Sequence, residues 1–210
     1  MFTEPASTLR ERKKAKTREK IVSVALRLFA DDGYATTTIA RIAEAAEVSP
    51  RTVATYFPAK EDIVFDLSEM TKERLATAIA ERPEGVDTMT ALREWLLRER
   101  DLFEEHHELM GCQQKVIDNE EALRAHERAI VREFELVLAD GLAVDLAQEP
   151  TDLEPRLAAA AAMAVFDLLG DERRERAEGE LPPLDEQLEK LDQALTFITG
   201  GVAALREGQS

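Results

Sequence analysis

One cysteine in 210 residues, Cys112, excludes an intrachain disulfide and gives no zinc-finger spacing. Histidine is nearly as scarce, and the trio His106, His107 and Cys112 matches no ligand pattern, so no metal is expected. No stretch approaches the roughly eighteen apolar residues of a membrane span, and Met1 to Leu9 holds no apolar run. Neither a signal peptide nor a membrane segment is predicted, and the protein is expected in the cytoplasm. GxGxxG, the P-loop, HExxH and GxSxG are also missing. Carboxylates abound but lie scattered on helix faces, so neither an enzyme nor a cofactor is expected.

Basic charge is in deficit. The 27 Lys+Arg against 43 Asp+Glu give a net charge of −16, with pI ≈ 4.7, which argues against a nucleic-acid partner until the charge is located. Residues 1–66 carry 11 Lys+Arg against 10 Asp+Glu, which leaves 16 against 33 for the rest. The basic residues concentrate further in Arg10, Arg12, Lys13, Lys14, Lys16, Arg18 and Lys20. Such a run is either a solvated charge cluster or an arm over residues 1–16 whose Lys13, Lys14 and Lys16 add phosphate contacts or enter a minor groove.

What is present is helical periodicity. Thr17 to Phe29 places Ile21, Val24, Ala25, Leu28 and Phe29 on one stripe, ending at Asp31-Asp32-Gly33 with glycine as C-cap. Thr37 is a plausible N-cap for a second helix through Ile39, Ile42, Ala43 and Ala46. Glu47-Val48 then turns the chain, and Ser49 caps a third helix with Pro50 at its first position and Val53 and Phe57 inward. That is helix-turn-helix logic. The outer face of the third helix carries Arg51, Thr52, Thr55 and Tyr56 with no carboxylate, which suits a DNA groove.

Together, TREKIVSVALRLFADDGYATTTIARIAEAAEVSPRTVATYFPAKEDIV closely resembles the N-terminal DNA-binding domain of the TetR family of bacterial transcriptional repressors. The likeness covers the first third of the chain. It implies a recognition helix from Pro50 to Tyr56, with Arg51 and Thr52 approaching bases, Tyr56 and Lys60 holding phosphates, and the helix start at Thr38 pointing N–H groups at phosphate. Arg41, Ser49, Pro50 and Thr55 complete the expected DNA-binding set. The chain departs from the family pattern at Glu47, where many members have glycine and a left-handed backbone would cost roughly 1–2 kcal/mol, and at Arg51 and Ala54. Its operator is therefore expected to be its own.

The resemblance implies an all-α fold of about nine helices, divided into an arm (1–16), a three-helix head (17–62), a ligand-binding and dimerisation body (63–206) and a tail (207–210). Apolar spacing predicts a long helix over Glu61 to Arg82, one from Thr88 to about His107, a short one over Leu109 to Ile117, and one from about Asn119 that Gly141 weakens near its end. Further helices contain Leu157 to Leu169 and Leu184 to Ile198. Leu184, Leu188, Leu191, Leu195 and Ile198 form a 4-3-4-3 stripe that demands a partner helix. In the family, helices 8 and 9 pair across a two-fold axis, so the stripe is expected at a homodimer interface; packing within the subunit is the alternative. Gly200-Gly201 marks either close approach or a fraying end.

The family body usually encloses an effector pocket. Here Met70, Trp95, Phe103, His107, Met110, Cys112, Phe134, Met163 and Phe166 could line one, which suggests an apolar or aromatic small molecule with a histidine as polar handle. The reading is a homodimeric repressor of a palindromic double-stranded operator, released by a small-molecule effector. An effector-independent regulator and an acidic helical adaptor acting through protein contacts are the alternatives.

Overall fold

The structure is a computed structural model that describes residues 8–175 and 184–207. Over these residues the chain is α-helical: α1 (Leu9–Asp32), α2 (Ile39–Ala45), α3 (Pro50–Tyr56), α4 (Lys60–Val64), α5 (Asp66–Ala80), α6 (Thr88–Asp118), α7 (Glu121–Leu146), α8 (Leu153–Glu175) and α9 (Leu184–Glu207). No helix among the described residues is long and apolar enough to cross a membrane.

Three helix boundaries differ from the sequence expectation. Helix α1 begins at Leu9, because Thr8 and Glu11 form a capping box: the Glu11 N–H donates to Thr8 Oγ1 (3.2 Å) and the Thr8 N–H to the Glu11 carboxylate (2.7 Å). Residues 9–16 of the expected arm are therefore helical, and residues 1–7 lie outside the described residues, as does 208–210 of the tail. The expected helix over Glu61 to Arg82 breaks at Phe65 (φ −96°, ψ 6°) into α4 and α5. Conversely, the two helices expected over Thr88 to Ile117 are one, α6. No proline or cap interrupts it, and Leu109, Gln113, Val116 and Ile117 carry its buried face onward.

The chain forms two compact units, which divide it differently from the expected boundary at residue 62. One comprises the chain up to Glu69 with Glu105–Glu127, and the other Met70–Glu104 with Arg128 onward. The first gathers the end of α6 and the start of α7 onto the head because Gln113 hydrogen-bonds at the α4–α5 break and Phe65 stacks on His126 with ring centroids 4.5 Å apart. Its core is Ile21, Leu26 and Phe29 of α1, Ile42 of α2, Val53 and Phe57, and Ile63 and Val64 of α4.

The second unit is built on Leu75, Ile79, Leu92, Trp95, Leu138, Leu142 and Ala159, joined from α9 by Leu195, Ile198 and Val202. Gly141, expected to weaken α7, lies buried within it: a Cβ there would stand 2.7 Å from Ile79 Cγ2 and 2.8 Å from Thr88 Oγ1. Helix α7 continues to Leu146 and stops at Ala147 (φ 54°), whose left-handed backbone lets the Gln148 N–H reach the Ala143 carbonyl (3.0 Å).

Candidate nucleic-acid interface

The turn between α2 and α3 closes as a Schellman motif on a residue other than glycine. The Val48 N–H donates to the Ala43 carbonyl (2.9 Å), which requires Glu47 at φ 57°. Lys20 of α1 donates to the Glu47 carboxylate (2.5 Å), and this holds the carboxyl below its usual range. The one acidic side chain in the turn thus carries its own counter-charge. Thr38, not Thr37, caps α2: its Oγ1 accepts from the Arg41 N–H (3.2 Å), while Thr37 is buried and donates its hydroxyl to the Gly33 carbonyl (2.8 Å).

Ser49 Oγ caps α3 by accepting from the Thr52 N–H (3.0 Å), with Pro50 at the first helical position. Buried Val53 fixes the inner face, which leaves Ser49, Pro50, Arg51 and Thr55 exposed and Thr52 and Tyr56 half-buried. The hydroxyls are partly committed. Thr55 Oγ1 donates to the Arg51 carbonyl (2.8 Å), and Ser49 Oγ and Thr52 Oγ1 lie 2.8 Å apart with one hydrogen between them. A hydroxyl has a single donor, so Thr55 retains only lone pairs, suited to base amino groups and not to phosphate. Arg41 is exposed, with Asp32 only at 3.9 Å.

Two cations expected to face phosphate or solvent are turned inward. Lys60 Nζ donates to the carbonyls of Tyr34 (2.6 Å) and Thr37 (3.2 Å) and sits over the Tyr34 ring, 4.1 Å from its centroid. Burial lowers its pKa, opposed by Glu120. It ties the α1–α2 link to α4, and two of its three donors are spent there. Tyr34, desolvated and facing Glu61, Glu120 and Asp62, has its phenol pushed up to about 12. Arg18 donates from Nε to the buried Asp66 carboxylate (2.7 Å) and lies over the Phe57 ring at 4.8 Å. Lys13, Lys14 and Lys16 remain exposed along α1.

The residues expected to line a pocket divide between the two units. Trp95, Phe103, Phe134 and Met163 meet in or against the second unit's core, with Trp95 and Phe103 edge to face at 5.9 Å. Met70 is 43% exposed, and His107 is exposed in the other unit, where Met110 and Cys112 are half-buried. Burial raises the Cys112 thiol pKa, with Glu108 and Asp31 adding to it. The Phe166 side chain lies outside the described residues. A cavity of about 310 Å³ that sequence reasoning missed opens where Asp32, Gly33 and Tyr34 at the end of α1 face Lys115, Asn119 and Glu120. Only tertiary packing joins those two segments.

Two residues of the expected dimer stripe have described side chains. Leu195 and Ile198 are buried in the subunit's own core, and Arg93 of α6 grips Asp192 of α9 through two hydrogen bonds (2.5 and 2.8 Å), which lowers the Asp192 pKa. These two residues of the stripe, Leu195 and Ile198, pack within the subunit. Leu184, Leu188 and Leu191 have side chains outside the described residues. A different apolar face stands open: Leu153 (72% exposed), Leu157, Ala160 and Ala164 on α8, and Phe197 (81%), Gly200, Gly201 and Ala204 on α9.

Residues 21–67 match the family described as bacterial regulatory proteins, tetR family, and residues 86–201 match the MftR C-terminal domain. The HTH-type transcriptional regulator TcmR of Streptomyces glaucescens is 38% identical over 84 residues, 40% of this chain and 37% of that protein. The chain therefore matches little more than a third of that relative's length. Among solved structures, the SmeT–triclosan complex aligns at TM-score 0.63 and 21% identity over 86% of this chain and 90% of that one. Thermus thermophilus FadR, a TetR family transcriptional repressor in complex with lauroyl-CoA, aligns at 0.54 and 21% over 87% and 93%. At these identities the structural likeness is one of fold.

Proposed function

The chain belongs to the TetR family of bacterial regulatory proteins, and on that premise we propose that it is a cytoplasmic, homodimeric transcriptional repressor that binds a palindromic DNA operator and releases it when a small-molecule effector binds. The observation that carries the DNA part is the outer face of α3. Arg51 stands exposed there, Tyr56 is half-buried at the end of the same helix, and the nearby carboxylate of Glu47 in the turn is neutralised by Lys20. Arg51 and Thr52 are assigned to base edges, Thr55 to an acceptor role, Tyr56, Arg41 and the Thr38 helix start to phosphates, and Lys13, Lys14 and Lys16 to flanking phosphate contacts from the first helix. Lys60 is assigned to bracing the head.

Two-fold symmetry is supported by the open face of α8 and α9, since exposed apolar side chains of this size flanked by small residues mark an interface. The effector part rests on the half-buried aromatic and methionine side chains against the core of the second unit. Selection of bound fragments from a random duplex pool, at two salt concentrations, tests the proposal. A palindrome should emerge, and Arg51→Ala should weaken binding to it about tenfold or more and relax preference at one position per half-site. Recovery of sequence-blind binding alone would overturn the operator reading.

A further inference from the structure

Trp95 is the one tryptophan of the chain. It is 4% exposed, and its indole Nε1–H meets no hydrogen-bond acceptor among the described residues. A buried N–H without an acceptor is costly enough that most native ones are paired with protein, water or ligand. The ring itself is well held, with Phe103 edge-on and Leu92 a turn away on the same face of α6. Further along that face, Glu99 is already engaged by Arg74 at 2.7 Å. Leu96, Phe103, Phe134 and Met163 pack against the same core and are only partly buried, so the core that holds Trp95 is apolar and edged by side chains open in part to solvent.

Two other buried polar side-chain atoms lack partners among the described residues, and neither offers a comparable site. Thr88 Oγ1 abuts Gly141, where not even a methyl group would fit, and Gln148 lies half-buried at the end of α7.

We infer that the effector of this protein is an apolar molecule carrying a hydrogen-bond acceptor, a carbonyl or ether oxygen, that receives the Trp95 indole N–H. This deepens the effector reading above and rests on it. The donor sits in apolar surroundings, so an acceptor-free hydrocarbon of the same shape leaves it unpaired, while an acceptor placed there is rewarded with little competition from water. The polar handle is thus the indole, in place of the histidines that the sequence suggested.

The test uses the full-length protein and matched probes: benzophenone against diphenylmethane, and 2-nonanone against nonane. Direct binding is followed by calorimetry and by the single tryptophan's emission. A ketone should bind at least tenfold more tightly than its hydrocarbon partner. The one indole N–H proton resonance should move downfield with the ketone and not with the hydrocarbon. Trp95→Phe should abolish the preference, and the resonance supplies the same information should that variant fail to fold. Equal affinities, an unmoved indole resonance, a preference that survives Trp95→Phe, or no binding by either ketone would overturn the inference. Retention of the selected operator duplex by ketone-saturated protein would instead sink the effector reading and leave the acceptor site standing.

Discussion

Gly141 shows how a residue's meaning depends on what faces it. Inside a helix, alanine is favoured over glycine by about 1 kcal/mol, so propensity alone reads Gly141→Ala as stabilising. The neighbours decide otherwise. A Cβ would press on Ile79 and Thr88 at under 3 Å, the latter through both Cγ2 and Oγ1, and these are buried side chains with nowhere to move. The Gly141 carbonyl also accepts from Arg82 Nη2 (3.3 Å), which in turn reaches Asp145, whose other oxygen accepts from the Thr88 N–H (2.7 Å). Displacing α7 to admit a methyl group would strain this whole network. Gly141→Ala should therefore lower the melting temperature, by roughly 2–8 °C for a net loss of about 1–2 kcal/mol. A rise would show that the helix shifts freely. Glu47 carries the same lesson in reverse. Its left-handed backbone was legible from the sequence, because a turn that usually holds glycine imposes its φ on whatever stands there. Its pairing with Lys20, 27 residues away, was not.

At the scale of elements, the break between α4 and α5 is held from outside. The amide of Gln113, 7% exposed on α6, donates to the Val64 carbonyl (2.8 Å) and to Ser68 Oγ (3.0 Å). Arg18 of α1 holds Asp66 on the far side of the break, and His126 of α7 stacks on Phe65 within it. Gln113 supplies a donor that a carbonyl at a helix break would otherwise lack. Gln113→Ala should cost about 1–3 kcal/mol. Gln113→Glu should cost more, because an ionised carboxylate can only accept and would face the carbonyl oxygen of Val64. As the pH falls into the carboxyl range, the Glu variant should recover towards the Ala variant, since a protonated carboxyl can donate. Thermal melts of the three proteins across pH check this order, and equal melting temperatures would mean that the break is stable without its clamp.

Most elements were legible because their signals are local: Ser49-Pro50 starts α3, and Ile21 to Phe29 shows its stripe unaided. The break at Phe65 and the fusion of α6 were not, because both depend on partners 45 or more residues away. The candidate DNA face was legible for the same local reason. The inward turn of Lys60 and Arg18 was not, because a basic side chain declares its charge in the sequence but not its acceptor.

For the whole molecule, the acidic excess lies outside residues 1–66, so the head is the part least repelled by a duplex. One helix-turn-helix touches few base pairs, and a palindrome is read only when two are joined. Leu195 and Ile198 of the stripe that was expected to join them lie in the core, so the two faces of α9 make opposite predictions. Leu195→Asp places a charge among Ile198, Val202 and the residues they pack against, and should unfold the second unit in preference to freeing intact monomers. Phe197→Asp places the same charge on the open face beside Gly200 and Gly201. It should leave the melting of the isolated subunit close to wild type while shifting the protein to monomer in light scattering. Operator affinity should then fall steeply, and it should recover partly at high protein concentration, because dimerisation and DNA binding are linked by mass action. A Phe197→Asp protein that remains dimeric would place the two-fold contact elsewhere on the subunit.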